Sequence, residues 1–177
     1  MQSCGDDGCN PHSEGSGVLR ANKSIIIDIF PRSIESGYFG DFTRTVVKGK
    51  PSKKLEKIYQ AVFDAQEAAF RHIKEGAFAD EVHGAVQEVF AKEGFKTGMI
   101  NGKMQGFIHG TGHGVGLDIH EPPRVGKQRI ALQAGNVVTV EPGLYYYGIG
   151  GVRLEDMVVV RKNSCRNLTA FPKELVI

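Results

Sequence analysis

Three apolar stretches of the chain each carry an acid where a buried strand would have a hydrophobic residue. They are SIIIDIF (24–30) with Asp28, VVTVE (137–141) with Glu141, and GVRLEDMVVV (151–160) with Glu155. Stretches this rich in β-branched residues are typical of buried strands. An ionised carboxylate there costs several kcal/mol unless it is protonated, paired or bound to a cation. The chain is therefore expected to fold so that these strands bring their acids to a shared counter-charge.

A metal centre is the simplest source of that counter-charge. Asp41 in GDFTRT and three histidines in HGTGHGVGLDIHE (109–121) add to the set, while the strands contain no comparable group of arginines. Two divalent ions would balance four carboxylates. Oxygen and imidazole donors without thiolates suit Mn, Co, Fe or Zn in a hydrolytic site, where paired ions lower the pKa of water and polarise a carbonyl group. The pattern alone leaves open whether one histidine or all three bind the metal.

The order of the predicted elements indicates an α+β fold with a mostly antiparallel sheet backed by helices. Strand-like stretches precede and follow two amphipathic helices, the first beginning after Ser52 and ending at Gly76, the second spanning about Asp80 to Glu93 with Gly94 at its end. The predicted strands are 24–30, 38–49, 136–147 and 151–162.

Length and composition predict a single soluble domain spanning residues 1–177. The net charge of +2 is spread along the chain, which disfavours a nucleic-acid partner. No apolar run approaches the ~20 residues of a membrane span, and the N-terminus lacks the pattern of a signal peptide. A cytoplasmic protein without membrane contacts is expected.

The three cysteines do not form a disulfide framework. Cys4, Cys9 and His12 could be drawn as a zinc site, but a fourth ligand is missing and the spacing fits no standard zinc finger.

Four segments together resemble a known family. DIFPRSIESGYFGDFTRT, HGTGHGVGLDIHEPP, TVEPGLYY and GVRLEDMVVV are similar, in this order, to the signature segments of the pita-bread metallopeptidases, which include creatinase, methionine aminopeptidases, prolidases and aminopeptidases P. The resemblance runs from about residue 9 to the end of the chain. It implies the pita-bread version of the α+β fold, in which a curved antiparallel sheet is backed by helices.

The resemblance implies five metal ligands. By position these are Asp28, Asp41, His113, Glu141 and Glu155. In the family, the acids at the Asp41 and Glu155 positions bridge two ions. The Asp28 position completes one ion, and the His113 and Glu141 positions hold the other. Glu141 would also act as the general base.

Further residues match substrate-contacting positions of the family. His120 matches a histidine that contacts the substrate near the scissile carbonyl, His109 one that lines the pocket of proline-directed members, and His12 another active-site histidine. Arg153 lies two residues before Glu155, so in a strand both side chains share a face and Arg153 would point into the site to bind substrate. Alternatively, Arg153 forms a structural ion pair with Glu155 or Asp156.

The chain departs from the family pattern in two respects. The segment between Asp28 and Asp41 is longer than is typical of the family, which makes the register at Asp41 less certain. The family's catalytic domain also extends further at its N-terminal end, so we expect this chain to lack part of the domain. We then expect residues 1–177 alone to be poorly active or to self-associate through exposed apolar sheet surface, and a homodimer is expected.

The resemblance implies a dinuclear-metal-dependent exopeptidase that hydrolyses Xaa-Pro bonds, either an Xaa-Pro aminopeptidase or a prolidase. The cofactors would be two divalent ions, with Mn or Co favoured and Zn or Fe also suitable, and the partners would be peptide substrates. Two alternatives remain: a methionine aminopeptidase, or a catalytically inert binding module with the same fold. His109, VEPGLY and the arginine of GVRLED favour the proline-directed branch.

Overall fold

The computed structural model describes residues 1–11 and 13–177. It contains two α-helices, α1 (Lys53–His72) and α2 (Ala79–Lys92), and a short 3-10 helix (Asp7–Cys9). The strands are β1 (Gln2–Cys4), β2 (Ile25–Ile29), β3 (Phe42–Val46), β4 (Gly98–Ile100), β5 (Lys103–Gln105), β6 (Gly112–Gly114), β7 (Glu121–Val125), β8 (Val137–Val140), β9 (Gly143–Tyr146), β10 (Gly150–Arg153), β11 (Asp156–Val160) and β12 (Cys165–Asn167).

Helix α1 begins as predicted but ends early. The Ser52 hydroxyl accepts a hydrogen bond from the amide of Leu55 at 3.2 Å, which caps the first turn. The helix stops at His72 because Ile73 adopts an extended conformation and places its side chain in the core. The prediction that Gly76 ends the helix is therefore wrong. Gly76, at φ +79°, instead forms a turn whose amide donates to the carbonyl of Leu132.

Helix α2 agrees closely with its prediction, and Gly94 follows it with a φ of +81°. The apolar faces of α1 and α2 pack on each other and on the sheets. This core includes Leu55, Ile58, Val82 and Leu132, all nearly inaccessible to solvent. Full burial of a Leu, Ile or Val side chain contributes about 1.5–3 kcal/mol.

The strands form two main sheets and two hairpins. The first sheet has the order β1-β2-β3, the second the order β12-β11-β8-β6-β7, and β9–β10 and β4–β5 form separate pairs. Within the described part of the chain, every pairing between these strands is antiparallel. The predicted α+β class with mostly antiparallel sheets is confirmed.

Two of the long predicted strands are each split in two. The stretch 136–147 breaks at Glu141 and Pro142, and the stretch 151–162 breaks at Leu154 and Glu155. On one side of the breaks β8 pairs with β11, and on the other β9 pairs with β10. Proline has no N–H to donate to a ladder, which favours the break at Pro142. Both predicted glutamate ligands therefore lie where the chain passes from one sheet to another.

The predicted strand 38–49 is also shorter, since β3 begins only at Phe42. The preceding segment forms a loop closed by an isolated bridge between Arg32 and Phe39. The extra length between Asp28 and Asp41 lies in this loop, outside the β2–β3 pairing of Asp28 with Thr43.

Neither α-helix has the length and apolar character needed to cross a membrane, judged over the residues that the structure describes.

Candidate metal centre and active site

All five predicted metal ligands line one cavity of about 930 Å³. His109, His120 and Arg153 line the same cavity. His12, the remaining predicted substrate contact, lies outside the described residues. The structure thus brings together every predicted site residue that it describes.

Five different places in the fold supply the predicted ligands. Asp28 comes from β2, Asp41 from the residue before β3, and His113 from the middle of β6. Glu141 and Glu155 occupy the two strand breaks described above. All of these ligands except Glu141, whose side chain is 19% exposed, are almost completely buried.

Three of the ligands form a tight cluster. Asp41, His113 and Glu155 each offer one ligand atom, and these atoms all lie within 4.8 Å of one another. His113 Nε2 lies 3.6 Å from Asp41 Oδ2 and 3.6 Å from Glu141 Oε1. This spacing, with atoms close but not bonded, suits donors arranged around a cation.

The hydrogen bonding of His113 leaves the ring nitrogen that faces these acids with a free lone pair. Its Nδ1 lies 3.0 Å from the carbonyl oxygen of Gly114, and because a carbonyl can only accept, Nδ1 carries the proton. Burial lowers the pKa of His113 to about 4, so the ring is neutral at neutral pH. A neutral imidazole with its Nε2 lone pair aimed at carboxylates is the form that binds a metal.

Three carboxyl groups of the site, those of Asp41, Glu141 and Glu155, hold their protons more strongly than usual when no cation is bound. Burial, together with the charges of Glu155 and Asp28, raises the pKa of Asp41 to about 9. Burial raises the pKa of Glu155 to about 7 despite the nearby Arg153 guanidinium, and burial and the Glu155 charge raise that of Glu141. A divalent cation would relieve this repulsion, and oxygen donors with one imidazole fit Mn, Co, Fe or Zn.

We predict that binding of a divalent ion to the metal-free protein releases protons. The folded-state pKa values of Asp41 and Glu155 lie above those of an unfolded chain. These groups therefore contribute stability to the metal-free fold at acidic pH, and this contribution is lost as the pH rises toward about 9, the folded-state pKa of Asp41. Because a bound ion needs the ionised forms, affinity for Mn²⁺ should increase from about pH 6 to about pH 8.

Titration calorimetry with Mn²⁺ in buffers of different ionisation enthalpy measures this proton release directly. An affinity that is unchanged across this pH range, with no dependence of the binding heat on the buffer, would contradict the prediction.

Arg153 points into the site, as its position two residues before Glu155 predicts. Its NH2 group donates to Asp28 Oδ2 at 2.6 Å, and Nε donates to the Thr43 hydroxyl at 3.3 Å. It pairs with neither Glu155 nor Asp156, so the alternative of a structural pair with one of those acids is wrong. Arg153 instead holds a predicted metal ligand, and its role in substrate binding stays a prediction.

The two other predicted histidines have different contacts in the cavity. His120 is exposed at the cavity, and its ring packs edge-on against His113 with centroids 4.4 Å apart. The Nδ1–H of His109 donates to the carbonyl of Gly110, so its Nε2 accepts from the Tyr145 hydroxyl, each at 2.8 Å. Their catalytic roles stay predictions.

Two site residues, Thr43 and Tyr145, were not predicted from the sequence. The Thr43 hydroxyl donates to Glu155 Oε2 at 2.6 Å and so orients one predicted ligand. Burial raises the pKa of Tyr145 to about 12, so its phenol stays neutral and donates to His109 while accepting from Arg153. Thr43 lies two residues after Asp41, a spacing typical of residues on one face of a strand, and this signal could have identified it.

Comparison with known proteins identifies the family. Residues 1–162 match the family model described as metallopeptidase family M24. An uncharacterised peptidase of Bacillus subtilis is 44% identical over 168 residues, and an Xaa-Pro dipeptidase of Pyrococcus horikoshii is 37% identical over the same length. Each alignment covers 94% of this chain and 45% of the relative, so the chain spans about half the length of these curated relatives.

Solved structures agree with the sequence matches. A dipeptidase from Pyrococcus horikoshii superimposes with a TM-score of 0.89 at 41% identity, and an X-Pro aminopeptidase from Thermotoga maritima with a TM-score of 0.90 at 31% identity. Each covers 100% of this chain, which covers 48% of each of them. The expected pita-bread fold is confirmed, and the chain belongs to metallopeptidase family M24.

Proposed function

We propose that the protein is a dinuclear-metal-dependent exopeptidase that hydrolyses Xaa-Pro peptide bonds. The observation that supports it best is the cluster of buried acids around the neutral His113, on the wall of a cavity large enough for a short peptide. The Xaa-Pro dipeptidase and X-Pro aminopeptidase among the relatives support the choice of substrate.

Five residues would hold the ions: Asp28, Asp41, His113, Glu141 and Glu155. Four carboxylates carry four negative charges when ionised, which two divalent ions would balance. Mn or Co is the proposed native metal, and Zn or Fe suits the same donors. Such ions, when bound, lower the pKa of water and polarise a substrate carbonyl.

Glu141 is the proposed general base. It is the most exposed of the five ligands, so it can reach both the cluster and a molecule in the cavity. Burial and the charge of Glu155 raise its pKa, and a raised pKa makes a carboxylate a stronger base. His120, exposed beside His113, is placed to donate to the substrate carbonyl.

Apolar side chains on the cavity wall support proline specificity. Phe107 and Ile108 line the cavity beside His109, and an apolar wall suits a pyrrolidine ring. The bond before proline is a tertiary amide without an N–H, so a site for it must hold the carbonyl and the ring instead. His109, His120 and Arg153 supply polar groups for that purpose.

We predict that kcat/KM for Ala-Pro-Ala exceeds kcat/KM for Met-Ala-Ser by at least about tenfold. The reason is that the apolar wall contacts a proline ring that Met-Ala-Ser lacks. The measurement is peptide hydrolysis by Mn²⁺-loaded protein, with Gly-Pro included to test dipeptides. Ala-Ala-Ala is the matched control, because it differs from Ala-Pro-Ala only at the residue after the scissile bond.

Each alternative function has its own outcome in this experiment. Faster hydrolysis of Met-Ala-Ser than of Ala-Pro-Ala would indicate a methionine aminopeptidase. Tight binding of two ions without hydrolysis of any of the peptides would indicate a binding module.

A further inference from the structure

Gln66 is a polar residue inside the apolar face of helix α1. It is completely buried, and its neighbours on the helix, Val62, Ala65 and Ala69, are buried too. A leucine or methionine of similar size would fill this position without taking an amide group out of water. The contacts of the Gln66 amide therefore decide what this residue contributes.

The Gln66 side chain joins the two strand breaks that carry the glutamate ligands. Its Nε2 donates to the carbonyl oxygen of Val140 at 2.9 Å and to that of Leu154 at 3.1 Å. Val140 directly precedes Glu141, and Leu154 directly precedes Glu155. An amide NH₂ group has two hydrogens, so one side chain uses its full donor capacity on these two carbonyls.

These hydrogen bonds lie where the sheet ladder is interrupted. Strands β8 and β11 pair on one side of the two breaks, and β9 and β10 pair on the other. Between them, the amide of Leu154 is 3.5 Å from the carbonyl of Pro142. The hydrogen-bond ladder between the two segments is therefore weak next to Glu141 and Glu155. The two hydrogen bonds of the Gln66 amide connect the two chain segments at the breaks.

The arrangement is not the one that stability alone would favour. Gln66 Oε1 is buried and has no hydrogen-bond partner among the described residues. A buried acceptor without a partner costs about 1–3 kcal/mol, which offsets much of the gain from the two hydrogen bonds. What the amide supplies beyond stability is a fixed separation between the backbones of Glu141 and Glu155.

We propose that Gln66 is a positioning residue that sets the separation of the Glu141 and Glu155 carboxylates, and with it the geometry of the metal centre. This inference rests on the proposed metal-dependent function. Gln66 acts through the backbone and contacts neither an ion nor a substrate. Residues that orient metal ligands typically change metal affinity by about 10- to 100-fold when replaced.

The test compares Gln66→Met with Val62→Ala. Methionine keeps the volume of the side chain but donates no hydrogen bond, while the control removes apolar volume one turn earlier on the same buried face. Mn²⁺ affinity is measured by titration calorimetry, and the visible absorption of the Co²⁺-loaded protein reports coordination geometry. We expect Gln66→Met to weaken Mn²⁺ binding by about tenfold or more and to change the Co²⁺ spectrum, and Val62→Ala to do neither.

Gln66→Leu provides a second variant of similar size if Gln66→Met fails to fold, since leucine also donates no hydrogen bond to the two carbonyls. Circular dichroism and thermal unfolding establish which variants are folded. A folded Gln66 variant with wild-type Mn²⁺ affinity and Co²⁺ spectrum would overturn the inference alone. A wild-type protein that binds neither ion would overturn the proposed metal centre as well, so the two failures are distinguishable.

Discussion

Replacing Glu141 by glutamine is expected to lower kcat for an Xaa-Pro peptide by about 100- to 1000-fold. Glutamine has the size of glutamate and an oxygen that can still bind a cation, but it cannot take a proton from water. The carboxylate lies at the cavity with a pKa that burial and the charge of Glu155 raise, which are the properties of a base. The measurement is steady-state hydrolysis of Ala-Pro-Ala by protein whose metal content is determined in the same preparation.

Glu88→Gln is the matched control for this substitution. Glu88 lies exposed on α2, where its carboxylate is 3.9 Å from the Lys92 ammonium in a surface pair. Loss of that pair changes stability by well under about 1 kcal/mol and leaves the site unchanged. Near-normal kcat in a metal-loaded Glu141→Gln protein would show that Glu141 is a metal ligand and not the general base. Loss of metal from the variant would show that the negative charge of Glu141 is needed to bind the metal, so the lower kcat would not be evidence for proton transfer.

The two helices and the longer strands could be predicted from the sequence, because their signals are local. The three-residue strands β1, β4, β5, β6 and β12, and the proline-containing β7, were not predicted. The apolar stripe of α1 and the serine before it predict the helix and its first residue. The break at Leu154 has no such signal, since neither a proline nor a glycine lies at or next to this residue. It arises because β10 pairs with β9 while β11 pairs with β8, and a change of partner is a property of the tertiary structure.

The helix end at Ile73 shows the same limit at a smaller scale. Gly76 is the residue best suited to a left-handed turn, and it does adopt a positive φ. The helix nevertheless ends earlier, because an extended Ile73 brings its side chain into the core. Burial of this side chain, about 1.5–3 kcal/mol, outweighs the gain from about one more turn of helix.

That Asp28, Glu141 and Glu155 would lie close together was predictable for a different reason, because acids in buried strands need a shared counter-charge. The full ligand set with His113 is what the family resemblance implies, and it stays a prediction. What the sequence could not give is which group each acid meets. Arg153 was expected on the same face as Glu155, yet its guanidinium bonds to Asp28, which is 125 residues away in the chain. Gln66 did carry a signal, since it is a polar residue within the apolar stripe of α1. Its partners are two backbone carbonyls, a group that every residue has, so the residue types of Val140 and Leu154 do not reveal them.

The second large effect is expected for Asp41→Asn, which should weaken Mn²⁺ binding by more than about 100-fold, the upper end of what residues that merely orient ligands contribute. Asp41 Oδ2 lies 3.6 Å from His113 Nε2. Ligand atoms, one each from Asp41, His113 and Glu155, lie within 4.8 Å of one another. The substitution keeps the shape of the side chain and removes one of the charges that a cation requires. Titration calorimetry of metal-free protein measures the change, and Asp64→Asn, on the outer face of α1, is the control.

The same substitution should stabilise the metal-free fold, and this opposite sign identifies the role of Asp41. Burial and the neighbouring acids raise the pKa of Asp41 in the folded protein to about 9. At about pH 8 this carboxyl is ionised in the unfolded chain but mostly protonated in the folded one, so it lowers the free energy of unfolding. Asparagine carries no such penalty. Metal-free Asp41→Asn is therefore expected to unfold at least about 3 °C above the metal-free wild type, while Mn²⁺ raises the unfolding temperature of the wild type far more than that of the variant. If the metal-free variant is less stable than the metal-free wild type, Asp41 supports the fold by its own contacts. If Mn²⁺ stabilises both proteins equally, Asp41 is not a metal ligand.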